Sequence, residues 1–247
     1  MNRIALLTLN AHMGFSLTRR RFVLPELRDA IHSSGADVVC LQEVMGENRL
    51  HQKRVARWPN HPQYEFLADS LWPQFAYGRN AAYPHGHHGN ALLSRFPILR
   101  QVNHDVSVAG HEGRGLLHCV LDIPGKADGL HVICVHLGLR ESHRRHQIAA
   151  LGQVITAIPA HTPLVVAGDF NDWRLQGHRH LLGFDLEEAF EQVTGRLARS
   201  FPARLPVLQV DRVYVRHVQV ESTQVLSARP WSHLSDHAPL LATLTLP

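Results

Sequence analysis

The sequence is poor in the residues that would make it a secreted, stapled scaffold. It has only three cysteines in 247 residues, and Cys40, Cys119 and Cys134 all fall inside apolar, strand-like runs. An odd, dispersed set of this kind excludes a disulfide framework and suits buried free thiols in a reducing compartment. No disulfide is expected, and the cytoplasm is the expected location. No apolar run approaches the roughly 20 residues that a helix needs to cross a bilayer. The N-terminus also lacks the basic, apolar and small-residue pattern of a signal peptide. Its first apolar run, residues 4–9, leads straight into Asn10 and reads as a core strand. Linkers, internal repeats and low-complexity blocks are absent, so one domain over residues 1–247 is the simplest partition. Neither a P-loop nor a dinucleotide-binding glycine pattern occurs.

What is present is an ordinary globular composition, 45% hydrophobic and 19% charged, which excludes a disordered chain. The net charge is +4, the sequence pI is about 9.3, and 20 histidines add positive charge on mild acidification. An anionic partner fits this balance. Nucleic acid, an acidic lipid headgroup and a small phosphate ester fit it equally well, as does a basic protein without such a partner.

Periodicity predicts strands at residues 3–9, 36–42, 91–94, 115–123, 131–135, 164–167, 212–220 and 240–246. It predicts helices at 25–32 and 142–158, the latter with Ile148, Leu151, Ile155 and Ile158 on one stripe. The stretch Pro84-His85-Gly86-His87-His88-Gly89 reads as a loop. Its clustered imidazoles raise zinc binding, but no distant ligand set accompanies them. Arg19-Arg20-Arg21 and His143-Arg144-Arg145-His146 are either phosphate-contacting patches or solvated faces. Many strands with few helices argue for a layered α/β protein.

Four distant segments carry the chemistry: Leu41-Gln42-Glu43, Gly168-Asp169-Phe170-Asn171, Val210-Asp211-Arg212 and Ser235-Asp236-His237-Ala238-Pro239. Each adjoins an apolar run and delivers acid, amide or imidazole groups, as expected of strand ends converging on one site. Asp169 and Asn171 are two apart, so on extended backbone they share a face. Each motif alone has a bland reading, an Asx turn for Gly-Asp-Phe-Asn or a solvent-facing acid for Glu43.

Together with Asn10 and with His136 in Val135-His136-Leu137, these segments stand in the order of the endonuclease/exonuclease/phosphatase superfamily. The chain resembles its DNase I-like metal-dependent phosphoesterases from Asn10 to Pro239. The resemblance implies a four-layer αββα sandwich of two packed mixed sheets and a Mg2+ or Mn2+ cofactor, which hard oxygen ligands would hold. It implies that Glu43 is the metal carboxylate, with Asn10 and Asp236 completing or supporting the ion's surroundings. Asp169 would orient or deprotonate the attacking water and Asn171 hold a phosphate oxygen. His237 would face the phosphate, oriented by Asp211, and His136 would assist the leaving group. Asn90 and Arg114 would bind phosphate, although Arg114 also suits a surface salt bridge. The residue after Asp211 is Arg212, where abasic-site endonucleases more often carry an aromatic one, which counts against that substrate. Hydrolysis of a phosphoester follows as the expected activity, with a nuclease first and a lipid or inositol-phosphate phosphoesterase as the alternative. A phosphate-binding module without catalysis is the third reading, and the completeness of the set argues against it. No protein partner is expected.

Overall fold

Strand alternation between two apolar faces produces the architecture of this computed structural model, which describes residues 2–17 and 21–246. The described residues form strands β1 (Asn2–Asn10), β2 (Val38–Asn48), β3 (Gln74–Tyr83), β4 (Gly86–Ser94), β5 (Ile98–Asp105) and β6 (Gly115–Leu121). They continue with β7 (Leu130–His136), β8 (Leu164–Asp169), β9 (Glu187–Glu188), β10 (Asp211–Arg216), β11 (Gln219–Val225) and β12 (Leu240–Leu246). The helices are α1 (Leu24–Ser33), α2 (Arg49–Arg54), α3 (Gln63–Ala68), α4 (Glu141–Ala157), α5 (Gln176–Leu181) and α6 (Ala189–Thr194).

One sheet has the order β11-β12-β1-β2-β4-β3 and the other β5-β6-β7-β8-β10-β9. Each is mixed, because β1–β2 and β7–β8 run parallel while the remaining neighbours are antiparallel. Ile4 and Leu6 of β1, Val38 and Cys40 of β2, and Val165 and Ala167 of β8 fill the layer between the sheets. The intervening Leu7, Leu9, Val39 and Leu41 face outward against Leu24, Leu27 and Ile31 of α1 and Leu67 of α3. Leu164 and Val166 pack against Ile148, Leu151 and Ile155 of α4 on the far side. The result is the four-layer αββα sandwich. The central strands are apolar on both faces because both faces are covered.

Three local expectations are corrected. Residues 212–220 are not one strand: His217 takes a φ of 52°, and the chain passes from β10 in one sheet to β11 in the other. The 84–89 stretch is the tip of the β3–β4 hairpin followed by the start of β4. His87 contacts the Tyr77 hydroxyl at 2.9 Å and His88 Nε2 lies 3.1 Å from Glu112, so the two imidazoles diverge and do not form a zinc cage. Arg144 is no surface patch, being 1% exposed. Arg19 and Arg20 lie outside the described residues, while Arg21 pairs with Glu26 at 3.0 Å. The three cysteines are buried and free, and among the described residues no helix is long and apolar enough to cross a membrane.

His118 on β6 and His131 on β7 contact each other at 2.9 Å, and both are buried. Burial, reinforced by His131 and other nearby cationic groups, pulls the His118 imidazole down to about 4. Its folded-state value is therefore depressed below the unfolded one, so its contribution to stability is complete above about pH 6.5 and is lost as pH falls toward 4. In urea melts at pH 7 and pH 5, His118→Phe should lose on the order of 1–2 kcal/mol less than the native chain. Equal losses for the two proteins would remove this histidine from the acid sensitivity.

Candidate active site

The motif-bearing strand ends meet at one edge of the sandwich because β1, β2, β7, β8 and β10 all bring their site residues to the same side. Asn10 aligns with Gln42 across β1–β2, His136 with Asp169 across β7–β8, and Asp211 with Asp169 across β8–β10. Backbone irregularities then aim the side chains. The register of β2 against β4 shifts between Leu41 and Val44, and Glu43, inside that bulge, holds a φ of 53°. A non-glycine residue in that region is strained, and bulges re-aim side chains. Asn171 tolerates its φ of 52° better, because its short polar side chain favours left-handed backbone. Gly168 sits at a φ of 146°, and a Cβ there would lie 2.0 Å from the Val135 carbonyl oxygen. Only glycine lets β8 approach β7 closely enough to place Asp169 beside His136.

The side chains form a continuous row. Asn10 Nδ2 donates to Glu43 Oε1 at 3.3 Å and to Asp169 Oδ2 at 3.3 Å, while its Oδ1 accepts from the His12 amide at 3.0 Å. Asp169 Oδ2 lies 3.6 Å from His136 Nε2 and 3.9 Å from His237 Nε2. His237 Nδ1 meets Asp211 Oδ2 at 2.7 Å. Ser235 ties the last segment to the first, donating from Oγ to the Asn10 carbonyl at 2.6 Å. Asp236 Oδ1 pairs with His12 Nδ1 at 2.9 Å, in the turn that follows β1.

Burial and charge set the protonation of this row. Burial pushes the Asp169 carboxyl well above the usual carboxylate range, although His237 opposes the shift. Burial pulls His237 down, but Asp211 and then Asp169 outweigh it and hold the imidazole above its ordinary value. His136 goes the other way, since burial and the Arg114 charge keep its ring neutral. At neutral pH the row offers one cationic and one neutral imidazole around the shared Asp169 carboxyl group.

The oxygen donors fit a divalent cation. Glu43 Oε2 is buried without a hydrogen-bond partner, beside an amide and further carboxylates of the kind a hard ion takes. Asp169, Asp211 and His237 also bring one ligand atom each within 4.8 Å of one another. The 2.7 Å contact between His237 and Asp211 already satisfies both atoms, so that trio suits proton handling better than metal holding.

Of the residues expected from sequence, Asn10, Glu43, His136, Asp169, Asp211 and His237 come together in the row. Two amides are committed elsewhere. Asn90, fully buried, donates both N–H groups to the Gly115 and Cys134 carbonyls at 2.9 and 3.1 Å, which staples one sheet to the other and leaves no donor for phosphate. Asn171 donates to the Leu137 carbonyl at 3.0 Å and to Asp169 Oδ2 at 3.2 Å, so both its N–H groups are engaged, one of them on Asp169. Arg114 pairs with Glu112 at 2.7 Å but is buried, and it lines a cleft of about 170 Å³ with His111, Gly138, Arg140 and His143. The His88 ring and then Arg114 hold the Glu112 carboxyl down to about 2 against its burial. A larger groove of about 570 Å³ lies between α1 and β11–β12. Glu26 and Asp29 line it, which suits no phosphate. His12, Ser235 and Glu112 were missed. Only Ser235, inside Ser-Asp-His, and His12, two residues beyond Asn10, left any trace in the sequence.

The Endonuclease/Exonuclease/phosphatase family model matches residues 7–237. The chain belongs to that family. A curated relative, the uncharacterized protein YbhP of Escherichia coli (strain K12), is 52% identical over 241 residues, covering 97% of this chain and 95% of the relative. An endonuclease/exonuclease/phosphatase of Bacteroides vulgatus superposes with a TM-score of 0.78 at 20% identity, each chain covered in full. D. rerio TDP2, solved in complex with a single-strand DNA product, superposes with a TM-score of 0.75 at 16% identity, with 99% of this chain and all of that one covered. At these identities the two structures establish the shared fold alone. Family members with this fold are generally phosphoesterases.

Proposed function

We propose that the chain is a divalent-metal-dependent phosphoesterase acting first on nucleic-acid phosphodiesters. One observation carries the reading: the unbroken row from Glu43 through Asn10 and Asp169 to His237 and Asp211. Both sheets contribute to it, which supports one domain over the whole chain, and the buried thiols support a cytoplasmic setting. Mg2+ or Mn2+ held by Glu43, with Asn10 and Asp236 supporting, would neutralise phosphate charge and acidify water. Asp169, locked by Asn10 and Asn171, aligns the water and takes its proton. His237, kept cationic by Asp211, faces the phosphate and offsets the charge that builds on its oxygens. Neutral His136 presents a ring nitrogen to the leaving oxygen, and Arg114 biases the adjoining cleft toward anions.

The exposed Arg140 and Arg174, four residues after His136 and three after Asn171, and Arg204, next to Ala203 whose amide donates to the Asp236 carbonyl, together with the fold shared with TDP2, solved with its DNA product, favour nucleic acid as the first substrate. The second reading is hydrolysis of an acidic lipid headgroup or inositol phosphate. It draws on Leu205, Val207 and Leu208, exposed on the segment that leads into β10. A panel of oligonucleotides, phospholipid vesicles and small phosphate esters, assayed with Mg2+ and Mn2+, decides between them, with Asp169→Asn as the inactive control.

Glu43→Gln keeps shape and loses charge, so it should shift the metal titration of activity to at least tenfold higher concentration while circular dichroism stays unchanged. Native activity in exhaustive chelator, or an unmoved titration in the variant, would reject Glu43 as the metal carboxylate.

A further inference from the structure

We infer that the open face of Trp173 is a stacking platform for an aromatic base carried beside the phosphate of the substrate. The inference rests on the nucleic-acid reading above and specifies it. Trp173 follows Asn171 by two residues, so the two Cα atoms lie at most about 7 Å apart. Its predecessors Asn171 and Asp172 are buried, whereas Trp173 is 42% exposed. The indole therefore emerges two residues beyond Asn171, which bonds Asp169, with one broad surface toward solvent.

Its other surface is covered. The Arg144 guanidinium carbon lies 4.8 Å from the ring centroid, within cation–π range. Arg144 is not a passing surface charge, because Nη1 donates to the Gly138 carbonyl at 3.2 Å and the Leu139 carbonyl at 2.5 Å. Nη2 is bound to Glu141 at 2.5 Å. Those carbonyls belong to the segment leaving His136, and Asn171 donates into the same segment at Leu137. Two clamps thus join the turn after β7 to the turn after β8, and one of them is the base of the indole. The ring is set in place before any ligand arrives, which lowers the entropy cost of binding.

The surroundings indicate what lies on it. An aromatic face whose chain neighbour is the exposed Arg174, with exposed Arg140 next to the Leu139 carbonyl that Arg144 holds, matches a flat, polar-edged ring attached to phosphates better than an acyl chain. Every base has a π face, so such a platform gives affinity without sequence preference. The same stacking is worth roughly tenfold to a hundredfold in binding per base.

The test uses the full chain carrying Asp169→Asn, with AMP and ribose 5-phosphate as probes in the presence of Mg2+. AMP should quench tryptophan fluorescence and bind at least tenfold more tightly than ribose 5-phosphate by calorimetry. Trp173→Leu should abolish that preference and Trp173→Phe retain most of it, with thermal midpoints checked for each variant. In the active chain, Trp173→Leu should raise KM for a single-stranded oligonucleotide tenfold to a hundredfold. For the same oligonucleotide with an abasic unit beside the cleaved bond, the rise should stay under threefold. Equal binding of the two probes by the Trp173 protein, or equal KM changes on the two oligonucleotides, overturns the platform. If oligonucleotides are hydrolysed and no effect depends on the base, the platform falls and the nuclease reading stands. If no oligonucleotide is hydrolysed yet the AMP preference depends on Trp173, the nuclease reading falls and the platform stands.

Discussion

His237→Ala should lower turnover by about a hundredfold to ten-thousandfold, the range that one positioned acid–base group contributes, while substrate binding changes far less. The expectation comes from the charge arrangement around the ring. His237 is 6% exposed, an environment that opposes an imidazolium, yet the Asp211 carboxylate 2.7 Å away and Asp169 beyond it keep the proton on. A buried cation held at such cost suits a site where negative charge grows during the reaction, and its worth is realised there rather than in the ground state. The split is therefore in kcat, with Kd for the same substrate measured on Asp169→Asn and on the Asp169→Asn/His237→Ala double variant. Asp211→Asn keeps the shape and removes the charge, so it should fall between the native chain and His237→Ala. A protein that binds one member of the panel tightly with and without His237 and hydrolyses none would instead be a phosphate-binding module.

Most of this site was legible because its residues close apolar runs. Asn10, His136 and Asp169 each close a central strand, and Glu43 follows the apolar run of β2 at its bulge, so at each place a hydrophobic pattern gives way to a polar group. The helix expected at 142–158 is α4 within one residue at each end, since its stripe needs no knowledge of the partner sheet. The edges were harder. β5, Ile-Leu-Arg-Gln-Val-Asn-His-Asp, is mostly exposed, and β3 carries Gly78, Arg79 and Asn80 in its middle, so neither shows a clean period of two. Pairing made them strands, and pairing is not local. The same holds for Asn90, Asn171 and Arg144. Their side-chain types suggested phosphate contacts, but their donors were already taken, those of Asn90 by carbonyls of the other sheet, those of Asn171 by Leu137 and Asp169, and those of Arg144 by the turn before its own helix, which residue type alone does not reveal. The left-handed turn at His217 hid likewise inside a run of β-formers.

Arg212 is the most consequential of these hidden assignments, and Arg212→Met should destabilise the chain by roughly 3–5 kcal/mol, the usual cost of leaving one partner of a buried ion pair alone. Strand alternation turns Arg212 away from Asp211 to the opposite face of β10, where it is fully buried. Its Nη1 pairs with Asp172 Oδ2 at 3.1 Å, and its Nη2 donates to the Asp172 carbonyl at 2.5 Å and the Gln209 carbonyl at 3.1 Å. Asp172 in turn accepts from the Gln176 and His178 amides at 3.2 and 3.0 Å, starting α5. Methionine fills much of the volume but leaves the Asp172 carboxylate in an apolar interior with only those amides to offset it. For a chain of 247 residues, a loss of that size lowers the thermal midpoint by on the order of 10 °C. Arg212→Met/Asp172→Asn removes both charges and should recover a good part of the loss, because the penalty lies in the orphaned carboxylate rather than in the missing attraction. Since Asp172 sits between Asn171 and Trp173, the single variant should also loosen the loop that holds both, seen as faster amide exchange there than in β8. Urea melts of the three proteins decide the matter: a single variant within 1 kcal/mol of the native chain, or a double variant no better than the single, would show that this pair is not what anchors the loop.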